Sequence, residues 1–88
     1  TLTSAYGGLA RANEKLGHTD RAERAWKIQD ELQKQDEQIA QFRRALATRP
    51  GDPALHYNLG LLYARRGQRG LAEREYIQAL RADSTLAP

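Results

Sequence analysis

The sequence predicts an all-α fold, and three observations predict it. Valine is absent and no segment alternates β-branched with polar residues, so strand signals are nearly missing. Turn signals cluster at three places, Gly17–Asp20, Arg49–Pro53 and Arg66–Gly70. Between them lie segments rich in Ala, Leu, Arg, Glu and Gln, all good helix formers. The chain therefore reads as four helices, at about 3–16, 20–48, 53–66 and 70–82.

The first helix ends at the Gly17 turn and carries a weakness inside it. Gly7 and Gly8 each cost roughly 1 kcal/mol of helix propensity relative to Ala. Such a pair either lets another element approach closely or marks a frayed terminal helix. Fraying is the favoured expectation here.

The second helix is expected to be long. Asp20 followed by Glu23 has the spacing of a capping box. From Asp20 to Thr48 there is no helix breaker, and Ala25, Ile28, Leu32, Gln35, Ile39, Phe42 and Leu46 keep one register at alternating spacings of three and four. Asp20–Arg24, Glu23–Lys27 and Asp30–Lys34 offer pairs at four-residue spacing. Arg43 and Arg44 suit the negative end of the helix dipole. One helix over 20–48 would be about 43 Å long. The alternative is a tight break near Gln33–Asp36, where polar residues crowd.

The third helix opens on Asp52-Pro53, a capping carboxylate before a proline whose missing N–H costs nothing at the first helical position. The fourth follows Gly70, with Glu73 three residues on and a weaker cap.

Internal repetition links these elements. At an offset of fifty residues, Leu9 meets Leu59, Ala10 meets Gly60, Gly17 meets Gly67, and Ala22–Trp26 ("AERAW") meets Ala72–Tyr76 ("AEREY"). At an offset of 34, Phe42 meets Tyr76, Ala45 meets Ala79 and Leu46 meets Leu80. Two offsets in one chain mean a repeat with broken spacing.

His56–Leu80 ("HYNLGLLYARRGQRGLAEREYIQAL") resembles the tetratricopeptide repeat, a helix–turn–helix unit of 34 residues. Leu59-Gly60, Tyr63, Ala72, Tyr76 and Ala79 fall on the family pattern, Pro50 matches the closing proline of the preceding unit, and His56 stands where the family prefers Trp. The resemblance implies a helix–turn–helix solenoid fragment with one long central helix. It covers the single domain 1–88 as a degenerate repeat (4–26), a long-helix connector (27–41), a half repeat (42–52) and a best-matching repeat (53–86). Gly60 and Ala72 would let two helices approach, with Leu59, Tyr63, Tyr76 and Leu80 filling the space around them. The first repeat departs from the pattern, with Asn13 in place of Tyr and Gln29 and Asp30 in place of Ala and Leu. The middle repeat lacks its first helix.

Composition narrows the function classes. The chain has 88 residues, so one small domain burying roughly 60–65% of its unfolded surface is expected. Absence of Cys removes disulfides and thiolate metal sites. Absence of Met leads to the expectation of a fragment of a larger protein. Apolar runs are too short for a membrane span. The net charge of +3 mixes both signs, without the dense basic stripe and interleaved aromatics of a nucleic-acid binder. Arg65, Arg66, Arg69 and Arg74, like Arg43, Arg44 and Arg49, read as solvated helix surface.

No catalytic chemistry emerges. His56 falls at a helix-packing position and reads as a spacer, while His18 lies in a turn and reads as solvated. Neither has a second ligand at metal spacing. Ser4 and Ser84 have no His–Asp companions. "RPGDP" and "RGQRG" lack the strand-loop-helix context of a phosphate loop. The expectation is a non-enzymatic domain without cofactor or metal.

Two functional readings remain. The resemblance implies an interaction module binding a peptide or helix on a concave face, at Tyr57, Asn58, Leu61, Ala64 and Arg65. Asn58 would bond a peptide backbone, and Arg65 an acidic side chain or terminal carboxylate. The alternative is a structural element whose long helix self-associates through Leu32, Gln35, Ile39 and Phe42. It would form a homodimer by antiparallel pairing or by exchanging terminal hairpins, with Gln35 fixing register.

Overall fold

A computed structural model describes residues 1–83. Ser84 and residues 84–86 of the expected last repeat lie outside them. The described residues form four α-helices and no strand: α1 (Leu2–Lys15), α2 (Thr19–Thr48), α3 (Pro53–Arg65) and α4 (Arg69–Ala82). The long helix is continuous, so the break considered near Gln33–Asp36 does not occur. The chain divides into two compact units, residues 1–36 and 37–88, with the boundary inside α2.

Both tight turns are built the same way. Gly17 and Gly67 have φ of 77° and 76°, a conformation costly for any residue with a Cβ. The following amide reaches back to close the helix, His18 N–H donating to the Asn13 carbonyl (2.8 Å) and Gln68 N–H to the Tyr63 carbonyl (2.9 Å). This closure lets the next helix start one residue before the expected caps. Asp20 therefore sits in the first turn of α2 rather than at its N-cap. Gln68, not Gly70, is the N-cap of α4, and its side chain makes no capping bond. The expected cap of α3 does form, Asp52 accepting from Ala54 N–H at 3.0 Å.

The core of the second unit is Leu59, Tyr63 and Ala72, with Ile39, Phe42, Leu46, Leu71 and Tyr76 packed against it. Leu59 and Ala72 are buried, as the repeat pattern requires. Gly60 is small because an aromatic ring lies on it: a Cβ there would fall 2.6 Å from Tyr76 Cε1. Leu80 does not join this core. Ala79 takes the inward position at 2% exposure and Leu80 is left 39% exposed.

The first unit solves the same packing differently. Ala10 is fully buried, and the close approach has moved to Gly7, where a Cβ would meet Gln29 Nε2 at 2.5 Å. Gly7 is therefore a contact glycine, not a sign of fraying, and α1 begins with Thr1 capping Ser4 N–H. Gly8 has nothing near it. Trp26 is half-buried and donates its Nε1–H to Glu14 Oε1 at 2.6 Å. Thr3 Oγ1 donates to Asp36 Oδ2 at 2.8 Å. Asn13 is buried and satisfied, its Nδ2 donating to the Leu9 carbonyl (2.9 Å) and its Oδ1 lying 3.3 Å from His18 Nδ1. His18, expected only to be solvated, is exposed yet braces this turn.

Charge pairing along α2 is sparser than its spacing suggests. Of the three pairs expected, Lys34–Asp30 forms at 3.1 Å, between exposed side chains. Arg43 lies over the Tyr63 ring, 5.9 Å from its centroid, and the last turn of α2 carries no basic residue.

Candidate functional site

The second unit carries the face on which the binding residues are expected. A shallow depression of about 190 Å³ is lined by Gln38 and Phe42 of α2 and by Asn58, Leu61, Leu62 and Arg65 of α3. Positions 58, 61, 62 and 65 recur at spacings of three and four, so they share one face of α3. Leu62 is buried and anchors that face, Leu61 is half-buried, and Asn58 and Arg65 are exposed at the rim. Phe42 is half-buried and contributes apolar floor from α2.

The structure thus joins three of the five residues expected on this face. Tyr57 is exposed but its ring leans on Tyr76, with centroids 5.9 Å apart and planes tilted by 44°. Ala64 is exposed and does not line the depression. Gln38 and Leu62 were missed. Their signal was available only by asking which α2 residues lie one turn from Phe42 and which α3 residue lies one turn from Asn58.

A second polar feature supports this hairpin. His56 is half-buried, its Nδ1 at 2.7 Å from Glu75 Oε2 and its Nε2 at 2.8 Å from the Pro50 carbonyl. A carbonyl only accepts, so Nε2 carries a proton. Protonating Nδ1 as well gives each ring nitrogen an acceptor. Burial alone disfavours this cation. It is outweighed by the Glu75 hydrogen bond, the Pro50 carbonyl and the negative charges of Glu75 and Asp52, which leave the imidazole above its ordinary pKa of 6.5. His56 is therefore more than a spacer: it ties the Pro50 turn through α3 to α4. Arg49 and Asp52 approach to 3.7 Å across the same turn.

The expected self-association seam is largely covered by the chain itself. Leu32 is buried at 8% exposure, and Gln35, Ile39 and Phe42 are half-buried. Ile39 and Phe42 pack on the α3–α4 core. Ile28, in the same register, is 41% exposed instead. Gln35 Oε1 is buried and accepts no hydrogen bond among the described residues.

Among the described residues no group of three His, Cys, Asp or Glu is placed to hold a metal ion, and no helix is long and apolar enough to cross a membrane. Two helix–turn–helix elements in one chain, each closed by Gly at the turn and by small residues at its own crossing, define a helical-repeat protein. Residues 31–67 match the family described as TPR repeat, and residues 53–86 match the one described as Tetratricopeptide repeat. The chain belongs to the tetratricopeptide repeat family. No curated protein and no solved structure is significantly similar to it. Members of this family generally mediate protein–protein interaction and are typically non-enzymatic.

Proposed function

We propose that the chain is a non-enzymatic interaction module that binds an extended peptide or a helix on the α3 face around Asn58, Leu61 and Arg65. The observation that carries this reading is the depression itself, which sets polar groups around an apolar floor. Asn58 offers both an amide donor and an acceptor, enough to bond both halves of a peptide unit. Arg65 makes no ion pair among the described residues and suits a carboxylate, for which a guanidinium forms paired, charge-assisted hydrogen bonds. Phe42 and Leu61 supply the area that an apolar ligand side chain would cover. Selecting peptides from a displayed random library and measuring the best of them tests the proposal. Asn58→Ala and Arg65→Glu should each weaken binding at least tenfold with an unchanged melting temperature. Equal affinity for wild type and both variants would place the site elsewhere.

A second reading, self-association through α2 as a homodimer, rests on Gln35, whose buried carbonyl oxygen lacks a donor. A buried polar atom left unpaired costs ~1–3 kcal/mol, which a partner's donor would recover if the half-buried side chain turned outward on association. Sedimentation at ~100 μM checks it, with Leu32→Glu/Ile39→Glu as the control and the ionic strength held near 0.15 M so that surface charge is screened. A monomer, or a dimer indifferent to those charges, removes this reading.

A further inference from the structure

The first unit has an open groove of about 280 Å³ between α1 and the start of α2. Tyr6, Leu9, Ala25 and Ile28 form its apolar wall, and Arg21 and Arg24 stand on its edge. Leu9 is 50% exposed and Ile28 41%. Neither arginine has an ion-pair partner among the described residues.

The molecule contains its own example of what covers such a surface. At the offset of fifty residues, Leu9, Asn13 and Arg21 correspond to Leu59, Tyr63 and Leu71. In the second unit Leu59 and Tyr63 are buried in a core against which Ile39, Phe42 and Leu46 pack, an apolar stripe at i, i+3 and i+7 on a helix, and Leu71 packs on the same core half-buried. In the first unit Leu9 and Arg21 are exposed and only Asn13 is buried, and where the second unit has Leu71 the first has Arg21. The occupant that fits is therefore the same kind of helix with a different charge. It needs an apolar stripe for Leu9, Ala25 and Ile28, and carboxylates beside the stripe for Arg21 and Arg24. The basic flank that α2 carries at Arg43 and Arg44 would meet like charge here.

We propose that this groove docks an amphipathic helix of a partner protein, apolar at i, i+3 and i+7 and acidic on its flank. The surface is separate from the α3 depression and does not depend on it.

The test uses two synthetic peptides spanning residues 33–48 of this chain, one native and one carrying Arg43→Glu and Arg44→Glu. Both present the Ile39, Phe42 and Leu46 stripe and share Asp36 and Glu37, and the second alone replaces the basic pair beside Phe42 with acid. Titrated into the isotope-labelled full chain, the acidic peptide should shift the amide signals of Leu9, Ala25 and Ile28. It should bind at least tenfold more tightly than the native peptide. Arg21→Glu/Arg24→Glu, a change at exposed positions that should leave the melt intact, should reverse that preference. Equal affinity for the two peptides would overturn the acidic partner. Shifts confined to Leu59 and Tyr63, or no shifts at all, would overturn the groove. Shifts at Leu9 and Ile28 that grow with protein concentration alone would identify the occupant as a second copy of the chain, and the proposal would fall.

Discussion

The two hairpins share one sequence pattern and pack it to different depths. In the second, Leu59 is 1% exposed and Tyr63 4%; in the first, the matching Leu9 is 50% exposed and Asn13 replaces the tyrosine. The second has a covering stripe from α2, so its pattern residues become a core. The first has no such cover, so an apolar pattern residue becomes surface. Polar substitution follows from that: Asn13 can be buried because the Leu9 carbonyl and His18 satisfy it locally. A repeat pattern therefore specifies which faces are apolar, and the neighbour decides which of them are dry.

The largest test of this contrast is truncation at equivalent positions. Leu59→Ala should destabilise by ~2–5 kcal/mol, the range for a buried leucine. Leu9→Ala should cost less than ~0.5 kcal/mol, as exposed changes do. Chemical denaturation followed by circular dichroism reads both, and similar losses would erase the distinction.

Overpacking comes next. Gly60→Leu should cost ~1–3 kcal/mol, because the Tyr76 ring on α4 must move. Gly7→Ala should be milder despite the shorter contact, since the tip of the flexible Gln29 side chain can swing away. A larger thermal shift for Gly7→Ala than for Gly60→Leu would reverse the assignment of rigid and adaptable crossings.

The His56 tie has no counterpart in the first hairpin, where Tyr6 and Ala25 stand at the places of His56 and Glu75. Because the folded-state pKa of His56 is raised, its contribution is fully present below the unfolded value. It is lost as pH rises from the ordinary value of 6.5 through the higher folded one. Wild type should therefore lose melting temperature over that window relative to His56→Gln. Parallel profiles for the two proteins would show that the imidazolium contributes nothing. The smallest effect is expected at Gly8, where nothing opposes a Cβ. Gly8→Ala should stabilise by about 0.5–1 kcal/mol through helix propensity alone, and a loss in the melt would reveal a contact there.

The helices were legible in the sequence because punctuation and periodicity act locally. The break-free run to Thr48 gave the long helix, and Asp52-Pro53 gave the start of α3. The starts of α2 and α4 were misplaced by one residue, since the left-handed glycines at 17 and 67 close the preceding helix and set the next one going. Exposure was less legible. Leu80, Ile28 and Leu32 all sit on apolar registers, yet only Leu32 is buried, because neighbours and not periodicity settle burial. Of the candidate site, the α3 face was readable from repeat spacing. Gln38 was not, because its place depends on how α2 lies against α3, and the His56–Glu75 contact spans nineteen residues with no motif to announce it.

The central claim is that the α3 depression is the binding face. Its most direct test is an amide chemical-shift map of the labelled full chain with a library-selected peptide. The account predicts shifts centred on Gln38, Phe42, Asn58, Leu61 and Arg65, removed by Arg65→Glu. Shifts that bypass α3, or that survive that substitution unchanged, would contradict it.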